Sequence, residues 1–262
     1  MHIELSGLQH PGARTLVLSA GLGGSGNFWL PQLNALRSQY RVVVYDHRGT
    51  GGNPDQLPEG YSMTDMAAEL AAALARHDVE QYEVIGHALG GMVAMQMALD
   101  YPQRVTRLAI VNGWLRLNPH TRRCFSVRQQ LLMNVGVEAW VQAQPLFLYP
   151  ADWLAENQER IEAEDALHTA HFQGVENLLH RLNALMNCDF TEKAKLITQP
   201  ALVICSQDDL LVPCTCSETL SAALPRSTLL KMAWGGHAMS VTDSAGFNRL
   251  LLNWLNSPVT TS

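Results

Sequence analysis

What the sequence lacks narrows its function first. No apolar run reaches the roughly 18 residues that a membrane-spanning helix needs, so no membrane partner is expected. Charged residues make up only 16% of the chain, and they sum to −6, which argues against nucleic acid as a partner. The opening Met1-His2-Ile3-Glu4-Leu5 has neither the basic start nor the apolar core of a secretory signal; a cytoplasmic location is expected. The five cysteines, Cys124, Cys188, Cys205, Cys214 and Cys216, are odd in number and without framework spacing, which suits reduced thiols. Cys214-Thr-Cys216 could be half a metal site, but no Cys/His pair completes it. Neither a metal nor any other cofactor is expected. Internal repeats and low-complexity tracts are absent as well.

What remains is a chain of 262 residues, 47% of them hydrophobic, enough for one large α/β domain with a substantial core. Strand-like runs fall at Ile3 to Ser6, Thr15 to Ser19, Arg41 to Tyr45, Tyr82 to Ile85 and Val105 to Val111. Leu16-Val17-Leu18 is apolar without alternation, the pattern of a strand covered on both faces. Between these runs lie helical spacings, Met63 to Arg76 and Gly90 to Leu99, the second stopped at Asp100-Tyr101-Pro102. From about residue 115 to 195 strand-like runs vanish. Helices are expected there over Cys124 to Met133, Val137 to Gln144, Trp153 to Gly174 and Glu176 to Cys188. Alternation then resumes with strands Ala201 to Cys205 and Thr228 to Met232 and helices Cys216 to Ala223 and Ser244 to Leu255. The expected organisation is a core in two parts, 1–114 and 196–262, interrupted by a helical lid over 115–195.

Chemistry-bearing motifs sit where strands end. After the second strand comes Ala20-Gly21-Leu22-Gly23-Gly24-Ser25-Gly26, either a flexible loop or a cup of backbone N–H groups facing an anion. It is not a phosphate-binding P-loop, because no Lys-Ser/Thr pair closes it. After the third strand, Asp46-His47-Arg48-Gly49 suits a tight loop held by local ion pairing. After the fourth, Gly86-His87-Ala88-Leu89-Gly90 has the layout of a nucleophile elbow, G-x-S-x-G, whose sharp turn lifts one side chain above the sheet. The lifted residue is Ala88, which has no nucleophilic atom. Asp209 stands at a strand end in Asp-Leu-Leu-Val-Pro, with Asp208 as the alternative, and His237 follows a strand and a Gly-Gly pair.

Elbow, acid and histidine in that chain order resemble the α/β-hydrolase fold superfamily, and the resemblance covers essentially the whole chain. The glycine cup, the Asp46-His47-Arg48-Gly49-x-Gly51 loop and the Tyr101-Pro102 boundary belong to it. A mostly parallel sheet flanked by helices, with the lid inserted, is what it implies. Asn112-Gly113-Trp114-Leu115-Arg116, His120-Thr121-Arg122-Arg123-Cys124-Phe125 and Ala143 to Trp153 closely resemble one bacterial branch, associated with the degradation of pyrimidines such as uracil. That implies a small-molecule C–N hydrolase acting on carbamate or 3-aminoacrylate, with a homodimer allowed. Carry-over of a serine nucleophile is ruled out by Ala88. A His237–Asp209 pair is expected to move protons, with an oxyanion hole from the backbone N–H groups of Leu22 and Leu89. Trp114, Arg116 and Arg122 are candidates to face the substrate, an arginine suiting its carboxylate. The opposing class is a ligand-binding or scaffolding protein that keeps the fold and has lost the chemistry.

Overall fold

The computed structural model describes residues 1–258. Its strands are β1 (Glu4–Gly7), β2 (Thr15–Ser19), β3 (Arg41–Val44), β4 (Tyr82–His87), β5 (Val105–Val111), β6 (Ala201–Ser206) and β7 (Ser227–Met232). They form one sheet in the order β1-β3-β2-β4-β5-β6-β7. Only the edge pair β1–β3 is antiparallel, so the sheet is mostly parallel, as expected. Every residue of β2, β4 and β6 is buried, which is why these runs show no polar alternation.

The helices are α1 (Leu30–Arg37), α2 (Met63–Ala75), α3 (Leu89–Asp100), α4 (Pro119–Asn134), α5 (Val137–Leu148), α6 (Ala151–Glu156), α7 (Gln158–Ala170), α8 (Val175–Asn187), α9 (Cys214–Ala223), α10 (Met239–Thr242) and α11 (Ser244–Asn256). The period-two geometry of the strands divides the core between the two faces of the sheet. Val17, Val43 and Val84 pack with Leu70 of α2, Met92 of α3 and Leu220 of α9. Leu16, Val42 and Ile85 pack on the other face with Leu33 of α1 and Leu251 of α11. Between β5 and β6 the chain runs through five helices, α4 to α8.

Three local departures from the sequence reading have physical causes. The stretch Trp153 to Gly174 is two helices, broken at Asn157, whose side-chain amide donates to Trp153 O at 2.8 Å and competes with the helical ladder. Helix α5 continues past Gln144 through Pro145 to Leu148; proline removes a single N–H, and Tyr149 N still bonds Pro145 O at 3.0 Å. The spacing of the cysteines does not reveal one pair: Cys205 and Cys214 come together with Cα atoms 5.5 Å apart, while Cys124, Cys188 and Cys216 stand apart. No helix among the described residues is long and apolar enough to cross a membrane.

The order of strands reverses direction between β2 and β4, and clefts at the carboxyl ends of such a pair are where open parallel sheets hold ligands. The glycine cup follows β2 and the elbow follows β4. Helix α2, which backs this region, starts with a reciprocal cap: Ser62 Oγ accepts from Asp65 N, and Asp65 Oδ2 accepts from Ser62 N at 2.9 Å. Replacing Ser62 by alanine is expected to cost about 1 kcal/mol, read as a lower urea midpoint at unchanged slope.

Candidate active site

The elbow is built by backbone contact. A Cβ on Gly86 would lie 2.1 Å from Gly90 O, and one on Gly90 would lie 2.1 Å from Ser19 O, so the strand-to-helix turn closes only with glycine at both places. Its tip, Ala88, is held at φ 49° and ψ −111°, a region that residues with a Cβ avoid. The strained turn is therefore present and carries only a methyl group. Ala88 N bonds Val111 O at 2.8 Å, and Ala88 O receives Gly91 N at 2.9 Å, which leaves Leu89 N–H at the open amino end of α3. Neither Leu89 N–H nor Leu22 N–H has a hydrogen-bond partner among the described residues.

The glycine cup around Leu22 is braced from three sides. His47 Nε2–H donates to Ala20 O at 3.0 Å, and His47 N donates to Gly24 O at 2.8 Å. Asp46 accepts Gly26 N at 2.7 Å and Gly52 N at 2.8 Å, so it holds backbone; the arginine beside it, Arg48, pairs instead with Glu69 at 2.8 Å and Asp55 at 3.7 Å. That replaces the expected Asp46–Arg48 ion pairing. From the helical side, the fully buried Arg181 of α8 donates Nη1 to Leu22 O at 3.1 Å and Nη2 to Arg48 O at 2.5 Å. A further Nη1 bond goes to Gln173 Oε1.

His237 Nδ1 lies 2.7 Å from Asp209 Oδ2, with the two residues 2% and 6% exposed. Asp209 Oδ1 accepts Leu211 N at 2.8 Å and Val212 N at 2.9 Å, so its own loop orients the carboxylate. A protonated Nδ1 donating to that carboxylate leaves Nε2 as the nitrogen without a protein partner. The alternative acid, Asp208, accepts Gly235 N at 3.2 Å and Gly236 N at 2.9 Å and shapes the turn before His237.

The histidine inside the elbow went unassigned in the sequence reading, although the motif already contained it. His87 Nε2–H donates to the main-chain oxygen of His237 at 2.8 Å, and the same oxygen receives Asn112 Nδ2 at 2.7 Å. The His87 ring stacks on Phe28 at 4.4 Å and sits 4.7 Å from the His237 ring, centroid to centroid. Burial, then the neighbouring His237, pushes His87 down to about 3, against a small opposing pull from its hydrogen bond. His47 is likewise pushed down to about 3 by burial and by Arg181. Both rings are neutral in the working protein.

The other candidates are dispersed. Trp114 is 1% exposed, in the core cluster that also holds Ala88 and Leu89. Arg116 and Arg122 are exposed, and Arg122 reaches Met186 O at 3.2 Å; the structure does not bring either into the buried site. The arginine of α4 that turns inward is Arg128, 3% exposed and absent from the sequence reading. Ser19 Oγ is engaged by Tyr45 OH at 2.7 Å and Ser25 caps a short helical turn, so neither replaces the missing nucleophile. Among the described residues no group of three or more His, Cys, Asp or Glu side chains is arranged to hold a metal.

Residues 14–136 match the α/β hydrolase fold family model. With the sheet order, the elbow and the relatives below, the chain belongs to the α/β-hydrolase fold family. Over 98% of its length it is 58% identical to a protein of Shigella flexneri serotype 5b provisionally named carbamate hydrolase RutD, covering 97% of that relative. It is 59% identical, at the same coverages, to the correspondingly named protein of Escherichia coli O139:H28. Among solved structures, MGS-M2, an α/β hydrolase enzyme from a Medee basin deep-sea metagenome library, superposes with a TM-score of 0.91 at 18% identity, covering 100% of this chain and 96% of that one. That last likeness shows the fold alone.

The two neutral histidines carry a linkage consequence. Unfolded imidazoles protonate near 6.5, whereas these do so at about 3 when folded, so the unfolded chain binds more protons between those values. Their stabilising share is complete above pH 6.5 and is lost as the pH falls toward 3, at up to about 1.4 kcal/mol per pH unit for each histidine. Urea unfolding at about pH 7 and about pH 5 is expected to show a shallower loss for His87→Gln than for the wild type. Equal losses would rule out His87 as one of the groups responsible.

Proposed function

We propose that the chain hydrolyses the C–N bond of a small product of pyrimidine breakdown. The candidates are carbamate, giving ammonia and carbon dioxide, and 3-aminoacrylate, giving malonic semialdehyde and ammonia. One observation carries this reading: a buried His237–Asp209 pair, 2.7 Å apart, accompanies an elbow whose tip is a methyl group. The relatives provisionally named for carbamate hydrolysis, 58% and 59% identical, support the substrate class. A cytoplasmic setting belongs to the same reading; a reducing compartment would hold Cys205 and Cys214 as thiols.

The chemistry follows from the parts. With Asp209 stabilising the imidazolium, His237 Nε2 delivers one proton; in the carbamate course that proton leaves with ammonia and is replaced from solvent, and in the 3-aminoacrylate course the added water returns one. For carbamate, the proton goes to nitrogen; the C–N electron pair then leaves with ammonia, and carbon dioxide remains. For 3-aminoacrylate, protonation at C2 gives an iminium at C3. Water adds there, one proton returns to His237, and collapse of the carbinolamine expels ammonia and leaves the aldehyde. Neither course forms a bond to a side chain, so Ala88 leaves room for substrate or water. The Leu22 and Leu89 amides hold a substrate oxygen in place, and their effect on rate falls on collapse of the carbinolamine, where charge grows on its oxygen. The helices between β5 and β6 act as the lid that keeps bulk water out.

The test is a time course of ammonia release from freshly generated carbamate and 3-aminoacrylate. The wild type is expected to exceed the spontaneous rate, and His237→Ala to lose about a hundredfold or more of that excess. An unchanged variant removes the catalytic role of His237, and wild-type binding without turnover favours the binding-protein reading, for which the bare elbow is the motive. Ala88→Ser is expected to gain activity on a chromogenic ester. A folded but inert serine variant would count against the alignment of His237 with the elbow.

A further inference from the structure

Two arginines are buried beneath the helices between β5 and β6, and they differ in what their donors do. Arg181 places its terminal N–H groups on three acceptors, Leu22 O, Arg48 O and Gln173 Oε1. Arg128, 3% exposed, makes one hydrogen bond, Nη2 to Gln144 Oε1 at 3.1 Å; its Nε, like that of Arg181, is buried with no partner. No carboxylate pairs with it among the described residues. Its guanidinium lies instead between aromatic rings, 4.3 Å from the centroid of Trp140, 5.5 Å from Phe147 and 5.9 Å from Phe125. Such rings orient a cation without neutralising it. A buried arginine with several N–H groups unused and no counter-ion is costly to a folded protein.

Its position says what the cost is for. Thr121, Cys124 and Arg128 lie on one buried face of α4. Thr121 Oγ1 bonds Leu211 O at 2.9 Å, which fastens that face to the Asp209 loop, and Arg128 stands two turns further on, roughly 10 Å along the axis. From the other side, Leu148 O at the end of α5 accepts Ala238 N at 3.0 Å, next to His237, and the preceding residue is the Phe147 that flanks Arg128. Phe147 and Leu22 also pack against the core cluster that contains Ala88. Arg128 is thus tied by short spans to the acid loop and the histidine loop. Cys124 lies between: burial raises its thiol pKa, Arg128 pulls it down and Asp209 pushes it up, so both charges reach one side chain.

We propose that Arg128 is the anion-holding residue of this site, binding the carboxylate of a small substrate while the Trp140 and Phe147 rings keep its guanidinium in place. This rests on the reading of a small anionic substrate. It assigns substrate recognition to an arginine with two N–H groups on one edge, matched to a carboxylate.

The probe is propionate, an unreactive small acid, with propionamide as its neutral counterpart, titrated calorimetrically against wild type, Arg128→Met and Arg128→Lys. The wild type is expected to bind the acid better than the amide by roughly tenfold or more, with that preference lost in Arg128→Met and partly kept in Arg128→Lys. Removing an unpaired buried cation is also expected to raise the melting temperature of ligand-free Arg128→Met by about 2 °C or more, so binding and stability move in opposite directions. The proposal is overturned if the wild type does not prefer the acid, or if Arg128→Met keeps the preference. A lower melting temperature together with unchanged binding would likewise make Arg128 a structural residue. Binding of propionate does not need His237. Failure here would therefore leave the proton-transfer reading standing, and an active His237→Ala would leave Arg128 standing.

Discussion

The main-chain oxygen of His237 accepts hydrogen bonds from His87 on the elbow, at 2.8 Å, and from Asn112 at the end of β5, at 2.7 Å. Asn112 also receives Ser206 N, at the end of β6, at 3.2 Å through its side-chain oxygen, and its own backbone adopts φ 50° to do so. One asparagine and one histidine thereby lock three strand ends to the loop that carries the imidazole. The Asp208 bonds to Gly235 and Gly236 complete the circuit from β6. On the proposed reading His237 transfers a proton and has to be placed within a few tenths of an ångström, and a backbone atom of the residue is fixed rather than the ring alone. His87 does this as a neutral donor, since burial and the neighbouring His237 hold its basicity down.

A non-glycine residue at the tip of the elbow costs of order 1–3 kcal/mol in backbone strain. In a serine enzyme that strain presents the nucleophile. In this chain the tip offers nothing to attack with, yet the turn still points the Leu89 amide outward and leaves a methyl-lined floor. Opposite it, Arg181 fixes the Leu22 carbonyl, and with it the peptide whose neighbouring N–H is free. On the proposed reading the arrangement holds charge and shape without a covalent step, which is the part of hydrolase architecture that depends on backbone alone.

The sheet was largely legible in the chain because a parallel sheet buried on both faces writes itself as unbroken apolar runs: β2 and β5 coincide with their expected bounds. The elbow was legible because Gly86 and Gly90 are demanded by sub-contact distances that no other residue survives. The pairing of His237 with Asp209, rather than with Asp208, followed from chain order and from the hydrophobic residues after Asp209, whose amides now hold one carboxylate oxygen. The helical segment was less legible. Burial of a cation cannot be read from its residue type, so Arg122 and Arg128, six positions apart on one helix, look alike until α4 docks and turns only one of them inward. The split at Asn157 and the Cys205–Cys214 contact depend in the same way on where neighbouring segments end up in space.

On the proposed reading, the missing nucleophile follows from the substrate. Carbamate and 3-aminoacrylate are both anions, and a carboxylate is a poor electrophile whose charge repels an attacking alkoxide. What each needs is a proton at nitrogen or at C2, and a proton moves most readily from an acid to a substrate held in register with it. An arginine aimed at the carboxylate and an imidazolium aimed at the basic atom supply that register from opposite ends of a very small molecule. A serine hydroxyl at position 88 would stand beside that substrate with no bond to make. Alanine keeps the elbow's backbone and removes the competing group, leaving the distance between Arg128 and His237 to decide which small acids react.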